Sequence, residues 1–170
     1  MPLFTELNKV VTVLPPGTTW LTEATTSREA EAVNLGKYGH CAWVINLGTL
    51  TGGSGMVLSL YEGAAATAGT GTVRAGFNYR TSAAPFSTTS TTAMDTLGAL
   101  TNTTSTLTIG STWDNLFVVV ELDNKELTDG YPFVSLSFAP TTGITVWGMN
   151  IVALLSEPRY GGDVPLTAIA

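Results

Sequence analysis

Histidine and cysteine are almost missing from this chain. His40 and Cys41 are the single copies of each in 170 residues, and they are neighbours. One cysteine excludes an intrachain disulfide and a cysteine-built zinc site. It reads as a small buried apolar residue. Nucleophilic and acid–base catalysis draw mainly on His, Cys and paired carboxylates, so a Ser-His-Asp arrangement would have to use His40. On a strand, His40 and Cys41 point to opposite faces and cannot pair with each other. Charge is scarce as well. Charged residues make up 12% of the chain, about half the usual share. Seven Lys and Arg stand against thirteen Asp and Glu, for a net charge of −6. No basic stripe exists to displace phosphate counterions, so no nucleic-acid partner is expected. Long apolar runs are absent too. The longest, 144–155, falls short of the ~20 residues that cross a bilayer, and no membrane is expected. The opening MPLFTELNKVVTVLPPG is broken by Glu6 and Lys9 and stopped by Pro15-Pro16. It does not read as a signal peptide, and the expectation is a soluble protein made in a cytoplasm.

What remains is rich in Thr, Gly and β-branched residues. The length suits one domain, 1–170. The stretch WDNLFVVVELDNKELTDGYPFVSLSFAPTTGITVWGMNIVALLSEPRYGG, from Trp113 to Gly162, holds three β-rich runs at 117–122, 131–138 and 144–155. Together they are expected to form the middle of a sheet. In the last run the inward phase slips between Val146 and Met149, which predicts a bulge or bend at Gly148.

Upstream, 10–14 reads as a first strand, and 1–35 as an N-terminal arm with the first strands. Thr26-Ser27-Arg28-Glu29 matches a capping box. A loop leading to a strand at 32–35 is preferred there, because Gly36 leaves no room for a helix. HCAWVINL at 40–47 puts Cys41, Trp43, Ile45 and Leu47 on one face. With 56–61 it predicts an antiparallel hairpin across the Gly-rich 48–55. Residues 73–80 alternate cleanly, with Val73, Ala75, Phe77 and Tyr79 inward. Residues 81–102 form a long excursion with a short strand or turn near 94–100, expected to touch a neighbouring subunit. A short strand follows at 106–109. About eight short strands and no convincing helix predict an all-β fold: an antiparallel β-sandwich or jelly roll.

Few side chains carry chemistry. Asp114, Glu121, Asp123, Glu126 and Asp129 gather in and around DNKELTDG, but the ligand order of a calcium loop is missing, and a solvated turn is the simpler reading. Gly52-Gly53 and Gly69-Thr70-Gly71 look like phosphate loops without the helix such a loop opens. Asn102-Thr103-Thr104 fits a glycosylation acceptor only by chance in an unsecreted protein. No catalytic residue, metal or cofactor is expected. Trp43 and Trp147 read as buried. Trp20 and Trp113, near turns, read as subunit contacts.

Three segments carry a resemblance: INLGTLTGGSGMVLSLYE at 45–62, VVVELDNKELTDGYPFVSLSF at 118–138 and VALLSEPRYGGD at 152–163. A Gly-turn hairpin, a V-V-x-E-L-D segment, an aromatic-started strand and a closing L-S-x-P-R-Y together resemble small structural proteins of tailed bacteriophages. These are the decoration, cement or auxiliary head proteins. The likeness is weakest before Gly36 and over 81–102. It implies a non-enzymatic β-sandwich that assembles, as homotrimers, on the outside of the phage head. There it would bind the major capsid protein and stiffen the shell. It adds Arg159 and Tyr160 to Trp20 and Trp113 as expected subunit or capsid contacts. It implies a virion location after synthesis in the host bacterial cytoplasm. The alternative is a tail or fibre-head module binding host glycans through surface tryptophans. A β-sandwich hydrolase ranks behind both.

Overall fold

The computed structural model describes residues 4, 8–15, 19–22, 27–51, 55–85, 96–141 and 146–158, without the side chains of 19–22, 50, 51, 146 and 147. Thirteen strands appear among them. In chain order they are β1 (Lys9–Leu14), β2 (Thr19–Thr22), β3 (Arg28–Glu29), β4 (Val33–Asn34), β5 (Tyr38–Thr51), β6 (Met56–Gly63) and β7 (Thr72–Val73). There follow β8 (Asn78–Thr81), β9 (Thr101–Asn102), β10 (Thr106–Ile109), β11 (Phe117–Asp123), β12 (Phe133–Pro140) and β13 (Val146–Pro158). Three single-turn 3-10 segments complete the described elements.

The strands make two antiparallel sheets. The first runs β1-β13-β5-β11-β8-β9, with β2 also on β13. The second runs β10-β6-β12-β3, with β4 on β12 and β7 on β6. The all-β sandwich expected from the sequence is the observed architecture. Alternation explains it. On β5, Cys41, Trp43 and Ile45 are fully buried, as are Met56, Leu58 and Leu60 on β6 and Val118 and Val120 on β11. Each sheet turns one apolar face inward, and the two faces close on each other. The bulge expected at Gly148 is present: the pairing of β13 with both β2 and β5 shifts register next to Trp147.

Several expectations need correcting. The runs at 117–122, 131–138 and 144–155 do not form the middle of one sheet. β11 and β13 flank β5 in the first sheet, while β12 lies in the second. Nor do β5 and β6 pair as a hairpin. Both edges of β5 are taken, by β13 and β11, so β6 crosses to the opposite sheet and pairs with β10 and β12. Residues 73–80 are not one strand. Gly76 adopts φ +91° and the chain breaks there, sending β7 to one sheet and β8 to the other. Val73 and Ala75 are exposed as a result, whereas Phe77 is buried. A Cβ at Gly76 would stand 2.4 Å from the Thr103 carbonyl oxygen, so no other residue fits this crossing. The run 32–35 gives only the two-residue β4, then a 3-10 turn at Leu35–Lys37 whose Gly36 N–H donates to the Asn34 side chain. Where a loop is preferred over a helix, Arg28–Glu29 form the two-residue β3. The described part of 1–35 is stitched into both sheets through β1 to β4. The tail 159–170 and the turn at Pro16-Gly17 lie outside the described residues.

A polar latch closes one end of the core. Glu62 shares the inward parity of Leu58 and Leu60 and is 5% exposed. It accepts hydrogen bonds from the Thr128 backbone N–H at 3.2 Å and from the Thr128 hydroxyl. The Arg74 guanidinium lies 3.6 Å away and also donates to the Glu126 carbonyl. A buried carboxylate survives only when it is paired and bonded in this way.

Candidate interaction surface

The outward side chains of the first sheet form ordered rows. Val10, Leu154, Ala42, Glu121 and Asn78 lie side by side across β1, β13, β5, β11 and β8. One pleat along, Thr12, Val152, Val44, Val119 and Arg80 do the same. Asn150, Asn46 and Phe117 make the next row. An outer sheet face normally carries polar residues. Here the middle of the face is apolar, and Val10 at its edge is 45% exposed.

The second sheet differs. Its outward residues include Ser59, Ser135 and Ser137. Over Ser135 lies the chain's own 64–71 loop, whose Gly69 N–H donates to the Ser135 hydroxyl at 3.0 Å. That bond accounts for the phosphate-loop lookalike at 69–71: it is a flap, and Ser135 under it is 3% exposed. The lookalike at Gly52-Gly53 lies outside the described residues.

The excursion at 81–102 is a hairpin at its base. β8 and β9 pair through Asn78 with Asn102 and Tyr79 with Thr101. A Ser82–Leu97 bridge extends the ladder, and Ala83 and Gly98 donate to Thr96 and Thr81 carbonyls. Leu97 and Leu100 on the returning arm are 41% and 50% exposed. Residues 86–95, with the Met94 end of the expected turn, lie outside the described residues. Asn102 of the glycosylation lookalike donates to Asn78 Oδ1 at 3.0 Å.

At one corner of the apolar face, His40 and Asp123 stand opposite each other on β5 and β11, with Nδ1 and Oδ1 2.9 Å apart. That hydrogen bond, helped by Lys125 at 3.6 Å, holds the Asp123 carboxyl below its usual range. Asp123 also caps the 3-10 turn Asn124–Glu126 through a reciprocal capping box. The sequence reading placed a capping box at 26–29 and missed this one, although D-N-K-E spells it. A hollow of about 170 Å³ opens here, lined by His40, Asn78, Leu100, Glu121, Leu122, Asp123 and Glu126. A second, of about 430 Å³, lies along 124–132 beside Gly36. Both are open. Among the described residues no three His, Cys, Asp or Glu side chains gather as a cation's ligands. No described helix is long and apolar enough to cross a membrane. Cys41 is buried, and burial pushes its thiol well up.

The four expected contact residues fare differently. Trp113 sits in the 3-10 turn Ser111–Trp113, half-buried against the core. Its ring packs on Tyr79, centroids 6.1 Å apart and planes tilted by 35°, so much of its surface is already used within the chain. Trp20 lies on β2, its side chain outside the described set. Arg159 and Tyr160 lie beyond the described residues, as does the Trp147 side chain. Trp43 is fully buried, as read. The sequence reading missed the apolar outer face. Its signal was there: Val44, Val119, Val152 and Leu154 continue the apolar character of their strands onto the non-core parity.

No protein-family model matches the chain, and no curated protein matches it. Among solved structures, one similar in fold is the SPBc2 prophage-derived protein YomS, at 14% identity and a TM-score of 0.46, over 87% of this chain and 91% of that one. Infectious bursal disease virus, Gx strain, supplies a weaker likeness, at 13% identity and a TM-score of 0.21, over 94% of this chain and 45% of that one.

Proposed function

We propose that this chain is a phage virion structural protein without enzymatic activity, a decoration or cement protein that binds the outside of the head. The observation that carries the reading is the apolar character of the outer face of the first sheet, where Ala42, Val44, Val152 and Leu154 are half-buried and Val10 at the edge is exposed. Contiguous exposed apolar surface marks a site of protein contact. A shell clamp needs a stiff slab and such a surface. The decoration-protein resemblance of 45–62, 118–138 and 152–163 supports the phage setting and names the major capsid protein as partner. Stabilisation would follow by mass action, since a ligand that binds only the assembled lattice favours it. Cryo-EM of virions tests the proposal. Density for this chain on the outer head surface is expected, and density on the tail or inside the head would refute it. The glycan-binding alternative stands second because the two tryptophans with described side chains are engaged within the chain, Trp43 fully buried and Trp113 half-buried against Tyr79. Saturable sugar binding by a chain with no affinity for capsids would favour it.

A further inference from the structure

We propose that Asp129–Gly130 is a site of spontaneous modification, where the Asp129 carboxyl closes on the Gly130 backbone nitrogen and the chain passes to isoaspartate. The inference goes beyond the proposed function and does not depend on it.

The sequence offers this chemistry at one place. Of Asp95, Asp114, Asp123, Asp129 and Asp163, only Asp129 precedes a glycine, and no asparagine does. A side chain on the following residue crowds the attacking nitrogen, and glycine has none. The structure removes the other obstacles. Thr128, Asp129 and Gly130 are exposed, beside the hollow of about 430 Å³ along 124–132, so water reaches the pair. Among the described residues nothing accepts the Gly130 N–H. A Cβ placed on Gly130 would find nothing within 4 Å, so a succinimide ring has room.

The turn supplies the motion. The Tyr131 N–H donates to the Thr128 carbonyl at 3.0 Å. Gly130 has φ +84° and Asp129 has no positive φ, which makes 128–131 a type II turn. The peptide between its two central residues can swing over, because glycine takes φ of either sign. That swing turns the Asp129 Cα–C bond, the rotation that carries the Gly130 nitrogen to the Asp129 Cγ.

The nitrogen then bonds to Cγ. The carboxyl gives up its hydroxyl and the nitrogen its proton, and the two leave as water. Water reopens the succinimide. Attack at Cγ restores aspartate. Attack at the Asp129 backbone carbonyl leaves the chain running through Cβ and Cγ, which is isoaspartate. No oxidant, reductant or enzyme enters. The extra backbone carbon lies inside the span of the Tyr131–Thr128 hydrogen bond. Thr128 also holds Glu62 through its N–H and hydroxyl, so the change loosens the latch at the end of the core.

The test ages the full chain for weeks in warm neutral buffer, as wild type, Asp129→Ser and Asp129→Asn. An isoaspartyl carboxyl methyltransferase with labelled S-adenosylmethionine reads the product. Trypsin locates it, since the peptide 126–159 has Asp129 as its only aspartate. Label on that peptide is expected to rise with time, several-fold above Asp129→Ser. Aged wild type is expected to melt below fresh protein, a shift that Asp129→Ser does not show. Asp129→Asn closes the same ring by losing ammonia, and is expected to gain mass at that position faster than at any other asparagine. Label on 126–159 no higher than in Asp129→Ser would overturn the proposal. So would label that forms only in urea, since the site would then belong to the unfolded chain. Label in the native chain without a change in melting would overturn the link to the latch.

Discussion

Removing the Glu62 carboxylate should expose how much of the fold hangs on one polar latch. The side chain is 5% exposed and accepts two hydrogen bonds from Thr128, with Arg74 3.6 Å away. In Glu62→Ala the Arg74 charge, 17% exposed, loses its counter-ion, and the Thr128 N–H and hydroxyl lose their acceptor. Hydrogen bonds to charged groups are worth about 1.5–3 kcal/mol when broken one-sidedly. Stripping one partner from a buried pair costs about 3–5 kcal/mol. The pair is not fully sealed, so the lower end applies, and a loss of about 3 kcal/mol is expected. For a chain of this size that is a fall of about 6–12 °C in Tm. Urea unfolding gives the free energy directly, from a shift in midpoint at constant slope. A cycle with Arg74→Met adds the decisive sign. With the guanidinium gone, Glu62→Ala no longer strands a cation, so the double variant should lose about 1–2 kcal/mol less than the sum of the singles. A Glu62→Ala midpoint within about 0.5 kcal/mol of the wild type, or strict additivity in the cycle, refutes the reasoning.

Other outcomes follow from single contacts. Gly76→Ala should destabilise by more than about 1 kcal/mol in thermal unfolding, because it combines a positive φ with a Cβ 2.4 Å from the Thr103 oxygen. Leu58→Ala, at a fully buried position, should cost about 3–5 kcal/mol in urea unfolding through the cavity it leaves. The lowered Asp123 value means its contribution is complete above the unfolded carboxylate range, near 3.9, and drains away as pH falls through the folded value. Asp123→Asn should therefore differ from wild type at pH 7 by well under 1 kcal/mol, since the side chain is 42% exposed. The two should converge at pH 2, as read by unfolding at both values. Cys41 should resist a thiol reagent in native buffer and react fully in denaturant, because its thiol is buried and its ionisation suppressed.

Local pattern carried much of the fold and little of its wiring. The inward parity of Cys41, Trp43 and Ile45, and of Met56, Leu58 and Leu60, was legible because a period of two is set by covalent geometry. The bulge at Gly148 was legible for the same reason: the apolar phase has to slip somewhere. Which strand pairs with which was not. Two apolar runs flanking a glycine-rich turn look alike whether they pair or cross between sheets, and only the occupied edges of β5 decide it. Val73 and Ala75 misled because alternation records side-chain type and not the left-handed turn at Gly76 between them and Phe77. The capping box at Asp123–Glu126 is spelled in the sequence, but its surroundings read as a plain acidic turn. The apolar outer face is hard to read because Val44, Val119, Val152 and Leu154 sit among equally apolar core-facing neighbours, so no polar alternation marks which side faces out.

The position of β13 has a temporal consequence. It lies between β1 and β5, pairing with β5 along nearly its whole length and with β1 from Ile151 to Leu155. Its residues leave the ribosome more than a hundred positions after those of β5 begin to emerge. Until then the first sheet is two fragments with bare edges, and no local pairing can substitute. Such distant pairings make folding slow, in the range of milliseconds to seconds. The newborn chain therefore spends its synthesis with sticky borders unprotected, a period in which holding chaperones and low temperature should raise the yield of the folded form.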